Sequence, residues 1–266
     1  MKKIITLIIG LMILSTNVGF AAEKQAMSLI DTSKSSMGII SVQYASANDK
    51  KVKVMIEKDN SKYVYNLNNN KLEESFPLQL QDGTYKISIM ENTAGNNYKY
   101  VSTNSVDVKL MDKNQTFLQS IQPVKWDESM KAIVKAKELT EGLKSDEEKI
   151  NAIYEYIVNN VKYDYKKIGN LSSDYLPQID ETFTTNKGIC YDFASVFAGM
   201  LRSNNIPAKL VKGYTKNVEG YHAWNEVYLN GKWIVVDTSY DSQMVEFNKK
   251  YSMVKDAKSY DKVNEY

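Results

Sequence analysis

One cysteine, one histidine and one arginine occur in 266 residues. A single cysteine excludes an intramolecular disulfide and a cysteine-based zinc site, and a single histidine excludes a histidine-rich metal centre. The formal net charge of +2 is far from the basic excess of a nucleic-acid binder. Only one long apolar run is present, Ile4 to Leu14, and nothing after it is long enough to span a bilayer. What is there is ordinary for a globular protein: 43% hydrophobic and 25% charged residues, which excludes a disordered, collagenous or coiled-coil chain.

The apolar run has the form of a secretory signal peptide over residues 1–21. Lys2 and Lys3 make the positive start, and Gly19-Phe20-Ala21 puts small residues where a signal peptidase reads. An uncleaved N-terminal anchor is the alternative. Removing the segment subtracts Lys2 and Lys3 and no acid, so the +2 of the full chain falls to zero. The expected mature protein is exported, free of the membrane and close to neutral.

Two regimes follow. From about Met37 to Leu110 the pattern has period two. Val52, Val54 and Ile56 alternate with polar neighbours, as do Tyr63, Tyr65 and Leu67, Tyr85, Ile87 and Ile89, and Val106, Val108 and Leu110. Such alternation buries one side of each strand. Turn residues at Asn48-Asp49, Asp59-Asn60, Asp82-Gly83 and Gly95 to Asn97 divide the runs, so residues 22–122 are expected to form a small β-sandwich. After Pro123 and Trp126 the spacing becomes helical. A helix is expected from Asp127, and another from Ser145, where Ser145 and Glu148 form a capping box before the stripe Ile150, Ile153, Tyr154, Ile157 and Val161. Residues 123–244 are expected to be the catalytic region, and the polar tail at 245–266 to add a helix or cover a cleft. The whole is an α+β protein with helices packed on an antiparallel sheet.

Cys190 precedes Phe193, Val196, Phe197, Met200 and Leu201, the i, i+3, i+4, i+7, i+8 spacing of a buried helical face. The cysteine therefore stands at a helix N-terminus, where free N–H groups and partial positive charge favour a thiolate and can stabilise an oxyanion. Taken alone, it reads equally as a small buried hydrophobe. His222 and Asp237 change that balance. Asn230-Gly231 favours a type I′ hairpin turn, which pairs Leu229 with Lys232, Glu226 with Val235 and Trp224 with Asp237. His222 then lies diagonal to Asp237 on one face, roughly 7 Å away along the backbone, within reach of side-chain contact. A slip of one residue would separate them.

These residues resemble the transglutaminase-like superfamily, a branch of the papain-like cysteine enzymes. The resemblance is carried by Lys187-Gly188-Ile189-Cys190-Tyr191-Asp192-Phe193-Ala194, by Tyr221-His222-Ala223-Trp224-Asn225-Glu226-Val227, by Trp233-Ile234-Val235-Val236-Asp237, and by the passage from Ile206-Pro207-Ala208 to Val211-Lys212-Gly213-Tyr214. It covers roughly Ser145 to Asp241. The leader and β-rich front resemble secreted members from low-GC Gram-positive bacteria. The resemblance implies a Cys190 nucleophile, a His222 general acid/base and an orienting Asp237, with no cofactor and no metal. Asp192 and Glu226 match the motifs in structural roles. Animal transglutaminases add an oxyanion-hole tryptophan, for which no counterpart is assigned; Trp126 is too distant in sequence. Their calcium sites have no visible match.

The implied activity is thiol-dependent acyl transfer on peptide or glutamine-type amides through a thioester. Hydrolysis is favoured, with protein crosslinking as the alternative. The compatible substrates are proteins and peptides, cell-wall peptides included. A non-catalytic wall-binding protein is the reading from another class, and a metal-dependent hydrolase is the weakest.

Overall fold

The computed structural model describes residues 29–266, so the leader expected over residues 1–21 lies outside the described residues. The front half holds β1 (Ile30–Asp31), β2 (Ile39–Val42), β3 (Val52–Lys58), β4 (Ser61–Leu67), β5 (Glu74–Pro77), β6 (Gly83–Ala94) and β7 (Asn97–Val108). They form two antiparallel sheets, ordered β1-β2-β5 and β4-β3-β6-β7. One core lies between them. Ile40, Val42 and Phe76 meet Val54, Ile56, Tyr85, Ile87 and Ile89, all fully buried. The period-two residues are thus the inner faces of a sandwich, and the turns fall at the Asx pairs, with Asp49 and Asp59 in the left-handed region.

The second half contains α1 (Lys131–Thr140), α2 (Asp146–Asn160), β8 (Lys162–Tyr163), α3 (Tyr165–Ile168), α4 (Ile179–Thr185), β9 (Lys187–Gly188), α5 (Cys190–Arg202), β10 (Ala208–Thr215), β11 (Val218–Leu229), β12 (Lys232–Val236), α6 (Thr238–Glu246), β13 (Val254–Lys255) and β14 (Tyr260–Glu265). The helix expected from Asp127 begins four residues later. The Asp127 carboxylate accepts from the Ser129 N–H at 2.8 Å, a local turn that competes with helix. Helix α2 starts where its capping box dictates. Ser145 Oγ accepts from the Glu148 N–H at 3.2 Å and Glu148 Oε2 accepts from the Ser145 N–H at 2.9 Å.

Helix α5 crosses a five-stranded antiparallel sheet ordered β13-β12-β11-β10-β14. Its stripe of Phe193, Val196, Phe197, Met200 and Leu201 is buried against Leu210, Ala223, Val227 and Val236 of the sheet and Ile150, Ile153 and Ile157 of α2. The hairpin register matches the sequence expectation: Leu229 pairs with Lys232 and Glu226 with Val235, with Asn230 and Gly231 at φ 51° and 81°.

Two segments differ from expectation. The expected pairing of Trp224 with Asp237 does not form: β12 ends at Val236, opposite Asn225, because Asp237 turns the chain and caps α6 by accepting from the Tyr240 N–H at 3.0 Å. The polar segment after 244 finishes α6 and adds only a single 3-10 turn, Ala257–Ser259, of new helix. It supplies β13 and β14, the two outer strands of the sheet. Their alternation is too short and too polar to stand out in sequence.

The halves are held together by specific contacts. Phe117 meets Trp233 edge-on at 5.4 Å, and Tyr266 packs edge-on against Tyr63 and Tyr65 at 5.9 and 6.0 Å. The lone arginine is fully used. Arg202, buried at the end of α5, donates to the carbonyls of Ala208, Gln119 and Tyr266. Among the described residues no helix is long and apolar enough to cross a membrane.

Candidate active site

Cys190 is the first residue of α5 and is partly exposed. The helix start is fixed by Asp192, whose side chain is fully buried. It accepts from the Ile189 N–H at 2.9 Å, from Lys167 Nζ at 2.9 Å and from the Tyr175 hydroxyl. The acid matching the family motif is therefore a structural cap that ties the 167–175 loop to the helix start. Glu226 is structural too, paired with Lys262 at 2.8 Å.

His222 lies on β11 opposite Gly213 of β10 and is 2% exposed. Its Nε2 is 2.8 Å from Asp237 Oδ2. This contact engages Nε2 and leaves Nδ1 outside the pair, and the Cys190 sulfur is near enough to act on the titration of the ring. Asp237, fully buried, also accepts from the Ser239 hydroxyl at 3.0 Å, the Tyr240 N–H at 3.0 Å and the Tyr260 hydroxyl at 3.0 Å. Burial by itself disfavours the imidazolium. The Asp237 carboxylate and the Cys190 sulfur outweigh that and raise the His222 pKa to about 10. Burial likewise opposes ionisation of Asp237, yet His222, the Tyr240 N–H and the Ser239 hydroxyl hold its carboxyl below the usual range.

Three further groups border the site without having been legible in the sequence. Tyr163, on β8, pairs with Gly188 and stacks on Phe193 at 6.4 Å, which sets its phenol beside the start of α5, near enough for Cys190 to act on its titration. Burial first, and the neighbouring sulfur second, keep this phenol protonated. Tyr260 reaches Asp237 from β14. Lys212, on β10, carries its ammonium 3.4 Å from the centre of the Tyr191 ring. No local signal separates Tyr163 or Tyr260 from the rest of 19 tyrosines. Trp126 takes no part at this end. It packs beside Gly199, nine residues along α5 from Cys190 and roughly 13 Å away at 1.5 Å per residue. Among the described residues no group of three or more His, Cys, Asp and Glu could hold a metal ion.

Residues 134–238, which contain all three expected site residues, match the family model described as the transglutaminase-like superfamily. The fold is transglutaminase-like, at distant homology. A mouse protein named Kyphoscoliosis peptidase is 31% identical over 113 residues, covering 38% of this chain and 17% of that protein. The UPF0252 protein MJ1282 of Methanocaldococcus jannaschii is 34% identical over 119 residues, covering 40% of this chain and 34% of the other. The chain thus spans between 17% and 34% of the length of these curated relatives. Among solved structures, the periplasmic domain of TgpA from Pseudomonas aeruginosa is similar with a TM-score of 0.40 and 13% identity, covering 83% of this chain and 96% of that one. The transglutaminase-like region falls wholly in the helix-and-sheet half, and the β-sandwich precedes it.

Proposed function

We propose that this protein is a thiol-dependent acyl-transfer enzyme acting on peptide or glutamine-type amides, with Cys190 as nucleophile, His222 as general acid/base and Asp237 as the group that orients it. The observation that carries this reading is the buried His222–Asp237 pair at 2.8 Å, and the influence of the helix-terminal Cys190 on the titration of the same imidazole supports it. Water as the final acceptor is the reading favoured by the peptidase name of the mouse and human relatives. Export of the mature protein, with cell-wall or host peptides as substrates, is part of the same proposal.

In the first half-reaction the Cys190 thiolate forms a bond to the amide carbon. The C–N bond breaks as the tetrahedral intermediate collapses, and the imidazolium of His222 protonates the departing nitrogen. In the second, His222 takes a proton from water as its oxygen attacks the thioester, and the sulfur leaves. The negative oxygen formed in each step needs donors placed for it. The Cys190 N–H at the start of α5 is one. The neutral Tyr163 hydroxyl beside it is suited to be the other, in place of the tryptophan of animal transglutaminases.

Alkylation of Cys190 by iodoacetamide against pH tests the nucleophile without a substrate. An isolated thiol, with a pKa near 8.5, loses roughly 80-fold in rate between pH 8 and pH 6. The native protein is expected to lose less than about threefold, and His222→Ala to follow the ordinary thiol curve. An ordinary curve for both proteins overturns the reading. For Tyr163→Phe, kcat is expected to fall about 100-fold with KM little changed, as when one oxyanion donor is removed. Its alkylation rate should stay near the native one, because alkylation forms no oxyanion. A matching loss in alkylation would make Tyr163 a positioning residue only.

A further inference from the structure

Lys212 is the one mostly buried cation beside the nucleophile that the mechanism leaves unused. It neighbours Gly213, the residue opposite His222, and its ammonium stands over Tyr191, which directly follows Cys190. A second ring, Tyr266, lies 5.6 Å away. Among the described residues no carboxylate comes within salt-bridge distance of Lys212, whereas Lys209, on the same strand, meets Glu226 at 3.6 Å and Glu265 at 2.9 Å. An ammonium partly withdrawn from water and set against aromatic faces carries a desolvation cost that a bound anion would relieve. Burial accordingly lowers its pKa to about 8, with the Cys190 sulfur opposing, so the ammonium is still mainly charged at neutral pH.

The ammonium borders a cavity of about 130 Å³ where the β-sandwich meets the helix-and-sheet half. Tyr65, Tyr175, Tyr191 and Tyr266 line it with Lys212. Asp174 is at its edge, but that carboxylate is engaged by the Ser172 side chain and its own backbone N–H. The space corresponds to roughly four waters at about 30 Å³ each, enough for a carboxylate and the carbon bearing it. Tyrosine rings, the amides of Asn66 and Gln122 and a single ammonium suit a small monoanion that takes both charge and hydrogen bonds.

We propose that Lys212, with Tyr191 and Tyr266, forms a carboxylate-binding subsite that selects acyl donors carrying a free carboxylate within one or two residues of the scissile amide. The proposal rests on Cys190 being the nucleophile. The Lys212 ammonium is near enough to the Cys190 sulfur for the two to interact electrostatically, and an extended residue spans about 3.5 Å, so a carboxylate held at Lys212 belongs to a residue close in sequence to the attacked carbonyl.

The test uses two alkylating reagents of nearly equal shape, N-iodoacetylglycine and N-iodoacetylglycinamide, which differ in whether they end in a carboxylate or a neutral amide. The ratio of their rates at Cys190, acid over amide, is expected to exceed tenfold in the native protein and to fall near one in Lys212→Met. The ratio cancels any general change in the sulfur. A native ratio near one, or a preference that survives in Lys212→Met, overturns the subsite. A separate arm needs no nucleophile. In Cys190→Ala, N-acetylglycine is expected to shift tyrosine resonances in an NMR titration at concentrations where N-acetylglycinamide does not, and Lys212→Met in that background should abolish the difference. That result upholds the subsite even if alkylation follows an ordinary thiol curve and the nucleophile reading falls. Equal shifts from both compounds overturn it.

Discussion

Asp237→Asn is expected to lower kcat/KM about ten-thousand-fold, the order of loss that follows when a triad carboxylate becomes an amide. The carboxylate accepts from four donors: His222, Ser239, Tyr260 and the Tyr240 N–H. An amide has only one oxygen to offer them, and turning its NH₂ toward His222 fixes the wrong tautomer. Asparagine is a good N-cap, so α6 should still form and the loss should not be one of folding. Without the carboxylate, burial of His222 acts with less opposition, and the imidazolium is lost at a pH well below about 10. Alkylation of Cys190 at pH 7–8 should slow in parallel with activity. Activity within tenfold of native would remove Asp237 from the mechanism.

The same pair predicts a pH signature in stability. The His222 pKa is raised, so its contribution is complete below the unfolded value of 6.5 and is lost as pH rises through about 10. The Asp237 pKa is depressed, so its contribution is present above the unfolded value of 3.8 and is lost as pH falls through the folded one. The stability gap between native and Asp237→Asn in urea should therefore be widest between these unfolded values and narrow toward pH 10.

Gly213→Ala is expected to destabilise the protein by about 3 kcal/mol or more, at the upper end for overpacking. A Cβ at this position would sit 2.0 Å from the Asp261 carbonyl oxygen and 2.9 Å from the Trp224 ring. The first obstacle is backbone, so the strand itself must move. Gly213 lies where the β10–β14 register shifts, and β14 carries the Tyr260 hydroxyl to Asp237. Moving β14 should thus cost activity as well as stability. Gly169→Ala is the control: nothing lies within 4 Å of its Cβ position and φ is −70°, so a change within about 0.5 kcal/mol is expected. Urea midpoints for the two variants, with hydrogen exchange at the amides of β14, decide the matter. A Gly213→Ala midpoint equal to that of Gly169→Ala would mean that the sheet edge yields freely.

Much of this architecture is legible before any coordinates. Strong periodicity marked β3, β6, α2 and α5, because each buries a regular stripe. The Asn230-Gly231 turn carried the most information, since it set the register that brings His222 toward Asp237. Where reading failed, the reason was local competition or remote pairing. Asp237 lies where a strand pattern overlaps a capping signal, and the cap prevailed. Strand β14 is polar on its outer face and is defined by β10, some fifty residues earlier, so its own pattern says little. Tyr163 and Lys212 owe their positions to β8 and β10 meeting the start of α5, which no spacing within either segment reveals.

The outer position of β14 also orders events in time. As the chain is synthesised from its N-terminus, Cys190, His222 and Asp237 all precede the strand that brings Tyr260 to the aspartate and Tyr266 to the front sandwich. Until residues 260–265 emerge and pair with β10, one donor to Asp237 is missing and the cavity beside Lys212 lacks a wall. The candidate site is therefore completed only after all three of its expected residues have been made, and a nascent chain carries Cys190 before it carries the strand that finishes the surroundings of Asp237.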